Sequence, residues 1–169
     1  FGSLTIGQED GASSPQLVLA AETSGGPVVL LQNATLNQGN LSKLRFSSVL
    51  MKPGARLTHQ ANSTSPSAEL NVEIAGDFDL QPGATISAVG AGYAGNSGPG
   101  FGRLFSWIGG AGGGGSYAAL GENNAVGTGE RYGTVYGSVI EPSDLGSGGG
   151  GYYLGPGGGG GSGGGAVLL

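Results

Sequence analysis

The sequence predicts an all-β protein: a short β-solenoid, or else a β-sandwich-like arrangement, over residues 1–89, then an ordered glycine-rich region of extended, polyproline-II-like chain over residues 90–169. Three observations carry this reading. Apolar and polar residues alternate in the first half, a Pro-Gly-Ala unit recurs about 29 residues apart, and glycine rises from 9 before position 90 to 31 from there on. No stretch keeps an i, i+3, i+4, i+7 apolar pattern for three turns, so helix is expected to be nearly absent.

Taken in order, the elements are short. Ser3–Ile6 is a β-compatible edge, and Val28-Val29-Leu30-Leu31, Leu41–Phe46 and Ser48–Met51 supply further runs. Leu70, Val72, Ile74, Phe78 and Leu80 share one parity while Glu73, Asp77 and Asp79 share the other, which gives one buried and one wet face. Gly76 falls on the inward parity, where it permits a bend. The stretches VLMKPGARLTH (49–59) and FDLQPGATISA (78–88) align. In both, Pro-Gly suits the central positions of a type II turn, whose third residue needs positive φ. QNATLNQGNL (32–41) reads as a weaker related turn without proline. Repeated strand–turn–strand units predict coils about 4.8 Å apart, none able to bury its apolar face alone, so the ends need a cap or another chain. The sandwich reading rests on the same alternation.

From Gly90 onward too few side chains remain for an ordinary β core. Yet Tyr93, Phe101, Trp107, Tyr117, Tyr152 and Tyr153 are interspersed with the glycines, and a solvated linker has little use for them. The expectation is a compact layer in which glycine lets backbones approach and the rings seal the edges. The closing GGGAVLL returns to β-compatible residues and is expected to pair with the first half or with a neighbouring chain.

AGDFDLQPGATISAVGAGYAGNSGPG, GAGGGGSYAALG, YGSVIEPSDLGSGGGG and GGGGSGGGAV, spanning roughly residues 70–169, resemble glycine-rich segments of large extracellular β-helical surface proteins. That resemblance implies an extracellular or cell-surface location and a structural or adhesive role. In composition the region also resembles the glycine-rich domain of anaplastic lymphoma kinase-type receptors, where such chains pack as ordered extended helices. That family's cysteines are missing here, so its ligand-binding role is not carried over.

Composition narrows the function classes. Only 10% of residues are charged and 37% are hydrophobic, which argues against solvated disorder. The net charge is −5 and the six basic residues are spread along the chain, so no cluster suits a nucleic-acid backbone. Lys43, Arg45, Lys52 and Arg56 read as solvent-facing strand positions. No apolar run approaches the roughly 20 residues of a membrane helix. Cysteine is absent, which removes disulfides and thiolate chemistry. A start at Phe1, without Met or a signal-like region, is expected of a processed product or a portion of something longer.

Candidate chemistry fails on context. Gly90-x-Gly92-x-x-Gly95 follows a strand-like run, as a dinucleotide loop would, but NSGPGFGRLF then opposes the required helix. The next acidic residue is Glu122, too far along to bind a ribose, and no lysine follows Lys52. Gly160-x-Ser162-x-Gly164 lies inside polyglycine, without the strand and helix of a nucleophile elbow. His59, the single histidine, near the end of a Pro-Gly-Ala turn, reads as an ordinary residue among solvent-exposed ones, and zinc lacks ligands. Asp77 and Asp79 read as soluble outer-face residues rather than calcium ligands. No catalytic residue and no cofactor are assigned. Asn33, Asn40 and Asn62 each open an Asn-x-Ser/Thr acceptor pattern, which points to a secreted glycoprotein.

The function expected is therefore a non-enzymatic extracellular structural protein, a fibre or surface-layer subunit whose partners are copies of itself, joined by β-strand pairing through FGSLTI and GGGAVLL. The alternative is an adhesin-type module that binds carbohydrate or protein through Tyr93, Trp107, Tyr117, Tyr152 and Tyr153.

Overall fold

A computed structural model describes residues 1–103, 112–122, 132–151 and 159–169. The chain forms two compact units: Phe1–Gln60 with Ala68–Ala88 and Val167–Leu169, and Ala61–Ser67 with Val89–Ala166. Composition divides the chain at Gly90, and the second unit takes in Ala61–Ser67 as well. Three bonds hold that segment there: Asn62 Nδ2 and the Asn62 amide donate to the Ala91 carbonyl at 2.8 and 3.2 Å, and the Ala94 amide donates to the Ser63 carbonyl at 3.0 Å.

The first unit is all β. Its first coil holds β1 (Leu4–Ile6), β2 (Gln16–Leu19) and β3 (Ser24–Gly25). The second holds β4 (Val28–Leu30), β5 (Thr35–Gln38) and β6 (Leu44–Phe46), and the third β7 (Val49–Met51), β8 (Arg56–His59) and β9 (Leu70–Ile74). The last coil holds β10 (Phe78–Leu80), β11 (Thr85–Ile86) and β12 (Val167–Leu168). Strands recur every third element, giving three four-stranded sheets in the orders β1-β4-β7-β10, β11-β8-β5-β2 and β12-β9-β6-β3. Every pairing among them is parallel. A chain that returns in the same direction after each circuit produces this pattern, whereas sandwich sheets are antiparallel. The fold is thus solenoid-like, and no helix occurs among the described residues.

The alternation read from the sequence explains the core. Val28 and Leu30, Leu36, Leu44 and Phe46, Val49 and Met51, Leu57, and Leu70 and Val72 point inward and are almost wholly buried. Their between-lying neighbours Arg45, Arg56 and Glu73 are exposed. Register stacks like on like, with Leu4 beside Val28, Val28 beside Val49 and Val49 beside Phe78. The run from Leu70 to Leu80 turns a corner between β9 and β10. There a Cβ on Gly76 would stand 2.8 Å from the Ser47 carbonyl oxygen.

The corner between the first and second sheets is a column of three turns. Ala34, Ala55 and Ala84 amides donate to the carbonyls of Leu31, Lys52 and Gln81, at 2.9–3.1 Å. The third residue of each turn has positive φ: Asn33 at 60°, Gly54 at 77° and Gly83 at 89°. These are the type II turns expected at Pro-Gly, and the proline-free turn at 32–33 belongs to the same column. Neighbouring turns also bond to one another, Asn33 N to Pro53 O at 3.3 Å and Gly54 N to Gly83 O at 3.1 Å.

In the second unit, backbone segments hydrogen-bond directly without forming strands. Gly92 N donates to Gly163 O, Tyr93 N to Gly146 O, Gly146 N to Gly164 O and Gly149 N to Gly161 O, at 2.8–3.0 Å. The approach is so close that a Cβ on Gly92 would stand 2.5 Å from the Gly146 carbonyl oxygen, and one on Gly95 would overlap Gly160. These two glycines of the dinucleotide-like motif therefore serve chain packing, and Gly98 and Pro99 follow where a helix would begin.

Candidate assembly surface

Within the first unit the coil stack ends in two open edges. β1, β2 and β3 are terminal in their sheets at one end, and β10, β11 and β12 at the other. FGSLTI supplies β1, which pairs with β4, and GGGAVLL supplies β12, which pairs with β9. Each therefore pairs once within its own chain and has no strand partner on its outer side among the described residues.

The two ends differ in how much core they expose. At the last coil, inward-parity Leu80 is 45% exposed and Val167 38%, whereas their partners Met51 and Leu70 one coil earlier are both 0% exposed. Phe78 and Ile86 are only half-buried there. At the first coil Ile6 is buried and Leu4, Leu17 and Leu19 are half-buried. Phe1 closes part of that end: its ring packs on Gly25 and stands 6.1 Å from the Phe46 ring, while the Gly26 amide donates to its carbonyl. Edge polarity differs too, since outward Thr5 on β1 shares a column with outward Asp79 on β10.

The aromatics expected to make contacts divide three ways. Tyr93 is buried, with its ring against Gly98. Tyr117 is half-buried, packs against Gly137 and meets Tyr136 edge-on at 5.2 Å. Trp107, Tyr152 and Tyr153 lie outside the described residues. Tyr136 is the better anchored ring: its hydroxyl donates to the Leu145 carbonyl and accepts from Ser147 Oγ, and Ser147 Oγ accepts from the Gly100 amide. Burial raises the Tyr136 pKa above its ordinary value. An open groove of about 700 Å³ in the second unit is lined by Pro99, Phe101, Arg103, Leu120, Tyr132 and Thr134, residues that the sequence reading did not bring together.

Of the acceptor asparagines, Asn33 is exposed at the turn column, with Nδ2 donating to the Gly11 carbonyl. Asn40 is half-buried and its Nδ2 donates to the carbonyls of Leu19 and Ala21. Asn62 is 5% exposed, and its Oδ1 accepts from the Ser67 amide at 2.6 Å.

One polar column lay hidden in the sequence. Gln38 and His59 are paired neighbours on the inward parity of β5 and β8 and both are buried, so His59 is not the exposed histidine the sequence suggests: it shares the inward parity of Leu57. Gln38 is satisfied by the Ser42 carbonyl and the Asn71 amide. His59 Nδ1 lies 2.9 Å from the Gln60 carbonyl, so Nδ1 carries the proton and Nε2 is a buried acceptor without a partner among the described residues. Burial lowers its pKa below 6.5, opposed by the Gln60 carbonyl and the Glu69 charge. Nothing in the spacing of these residues distinguishes inward polar groups from outward ones.

The chain matches no protein-family model, no curated protein and no solved structure.

Proposed function

We propose that this protein is a non-enzymatic extracellular structural subunit that joins copies of itself into a fibre or surface assembly by β-strand pairing at the coil ends. The observation that carries the reading is the last coil, where inward-parity Leu80 and Val167 stand 45% and 38% exposed at strand edges with no described partner. Solenoid ends of soluble proteins carry a polar cap, and an apolar, unpaired end is a template for another chain. In the same reading the glycine-rich unit is an ordered layer of extended, polyproline-II-like segments. The extracellular location rests on the acceptor patterns at exposed Asn33 and half-buried Asn40 and on the resemblance to surface proteins, while Asn62 is buried and adds nothing to it.

The adhesin alternative draws less support. A sugar-binding face needs exposed rings, and Tyr93 and Tyr117 are spent on glycine backbones. Light scattering across a concentration series tests the proposal: mass that grows past a dimer supports it, and a constant monomer mass overturns it.

A further inference from the structure

We infer that assembly is polar: the last coil of one copy receives the first coil of the next, β1 on β10 and β2 on β11, so that the parallel ladders run on from copy to copy. The inference rests on the assembly reading above and adds the partner edge and its register.

The first argument is direction. Every strand pairing in the stack is parallel. Translation along the stack keeps a neighbour's strands parallel, whereas a two-fold contact between like ends reverses them. The second is side-chain continuity. Leu4, Val28, Val49 and Phe78 form one inward column and Ile6, Leu30, Met51 and Leu80 another, so a following β1 sets Leu4 over Phe78 and Ile6 over Leu80. On the second side Leu17, Leu36, Leu57 and Ile86 form a column, and Leu17 would follow Ile86. The third is charge. Asp79 is the central residue of β10, so two last coils pairing antiparallel would set Asp79 against Asp79, a destabilising opposition. The polar arrangement sets it against Thr5. The contact is heterologous and does not close on itself, which makes a filament rather than a dimer.

The chain has no cysteine, so engineered thiols report the contact without background. Thr5 and Asp79 are exposed and outward-facing, so neither T5C nor D79C disturbs the core. Adjacent strands hold such positions within disulfide reach. T5C and D79C, distinguished by a mass tag, are oxidised singly and as a mixture, with light scattering run on each. Disulfide-linked dimers formed only in the mixture, each holding one of each variant, are the expected result. Dimers of T5C alone or of D79C alone overturn the polarity. Assembly by light scattering without any cross-link overturns the register while the assembly reading stands. Absence of assembly in every sample, the unmodified chain included, overturns both.

Discussion

Gly54 and Gly83 occupy the same place in successive turns, yet substitution should cost different amounts. Both have left-handed φ, 77° and 89°. An L side chain there costs about 1–2 kcal/mol. At Gly83 that is the whole cost, because the nearest atom to an added Cβ is 3.8 Å away. At Gly54 the methyl would overlap Asn33 Oδ1 and lie 3.3 Å from the Asn33 amide nitrogen. Asn33 must give way, and its Nδ2 bond to the Gly11 carbonyl goes with it, at about 1 kcal/mol more. G83A should therefore lose about 1–2 kcal/mol and G54A about 2–3 kcal/mol. At roughly 2–4 °C per kcal/mol for a chain of this size, thermal melts followed by far-UV circular dichroism resolve the difference. In an N33G background, which lacks both the obstructing side chain and its bond to Gly11, G54A should cost only the backbone strain, about 1–2 kcal/mol, as G83A does. Equal losses in G54A and G83A, or a neutral G83A, would refute the turn-column account.

Three more predictions follow from single contacts. G95A places a methyl into the Gly160 backbone and should cost at least about 1–3 kcal/mol. G90A meets open space and should lose only the strain of φ 68°. Hydrogen exchange across residues 92–103 should rise markedly in G95A and little in G90A. His59 has a folded pKa below the 6.5 of the free side chain, so the unfolded chain takes the proton first. Its contribution is fully present above pH 6.5 and is lost as pH falls from there to the folded value. H59Q should flatten that part of the stability–pH curve in urea titrations, and an unchanged slope would contradict the burial argument. In a secreted preparation, glycopeptide mapping should find sugar at Asn33 and none at Asn62 in folded material, because Asn33 is exposed whereas Asn62 is buried in the second unit with Nδ2 bonded to Ala91. A fully occupied, folded Asn62 would contradict that placement.

Much of the first unit was legible because its signals are local. Pro53-Gly54 and Pro82-Gly83 fix turn geometry by themselves, and the parity of Leu70, Val72 and Ile74 fixes which face is buried. The first coil was harder to see. β3 is only Ser24-Gly25, and β2 follows the polar stretch from Gly7 to Pro15, so neither shows an alternating run of useful length. β12 was visible as a strand, and its pairing with the first half was one of two expectations, but the partner strand β9 was not legible, since the pairing joins residues far apart in sequence. Leu41 looked like part of a strand, but β6 begins at Leu44 and Leu41 is 46% exposed. Asn40 shapes that bend by accepting from the Ser42 amide, a competition between side chain and ladder that apolar counting overlooks. The aromatics show the same limit. Composition said that rings accompany glycine, but only the backbone path shows Tyr93 facing Gly98 and Tyr117 facing Gly137.

Electron microscopy of the intact chain, with layer lines measured along any filament, tests the central claim most directly. Four coils stack in the first unit, so polar strand-to-strand assembly predicts an axial rise of about 19 Å per subunit over a 4.8 Å strand spacing. Discrete monomeric particles, or filaments whose rise is not a whole number of strand spacings, would contradict it.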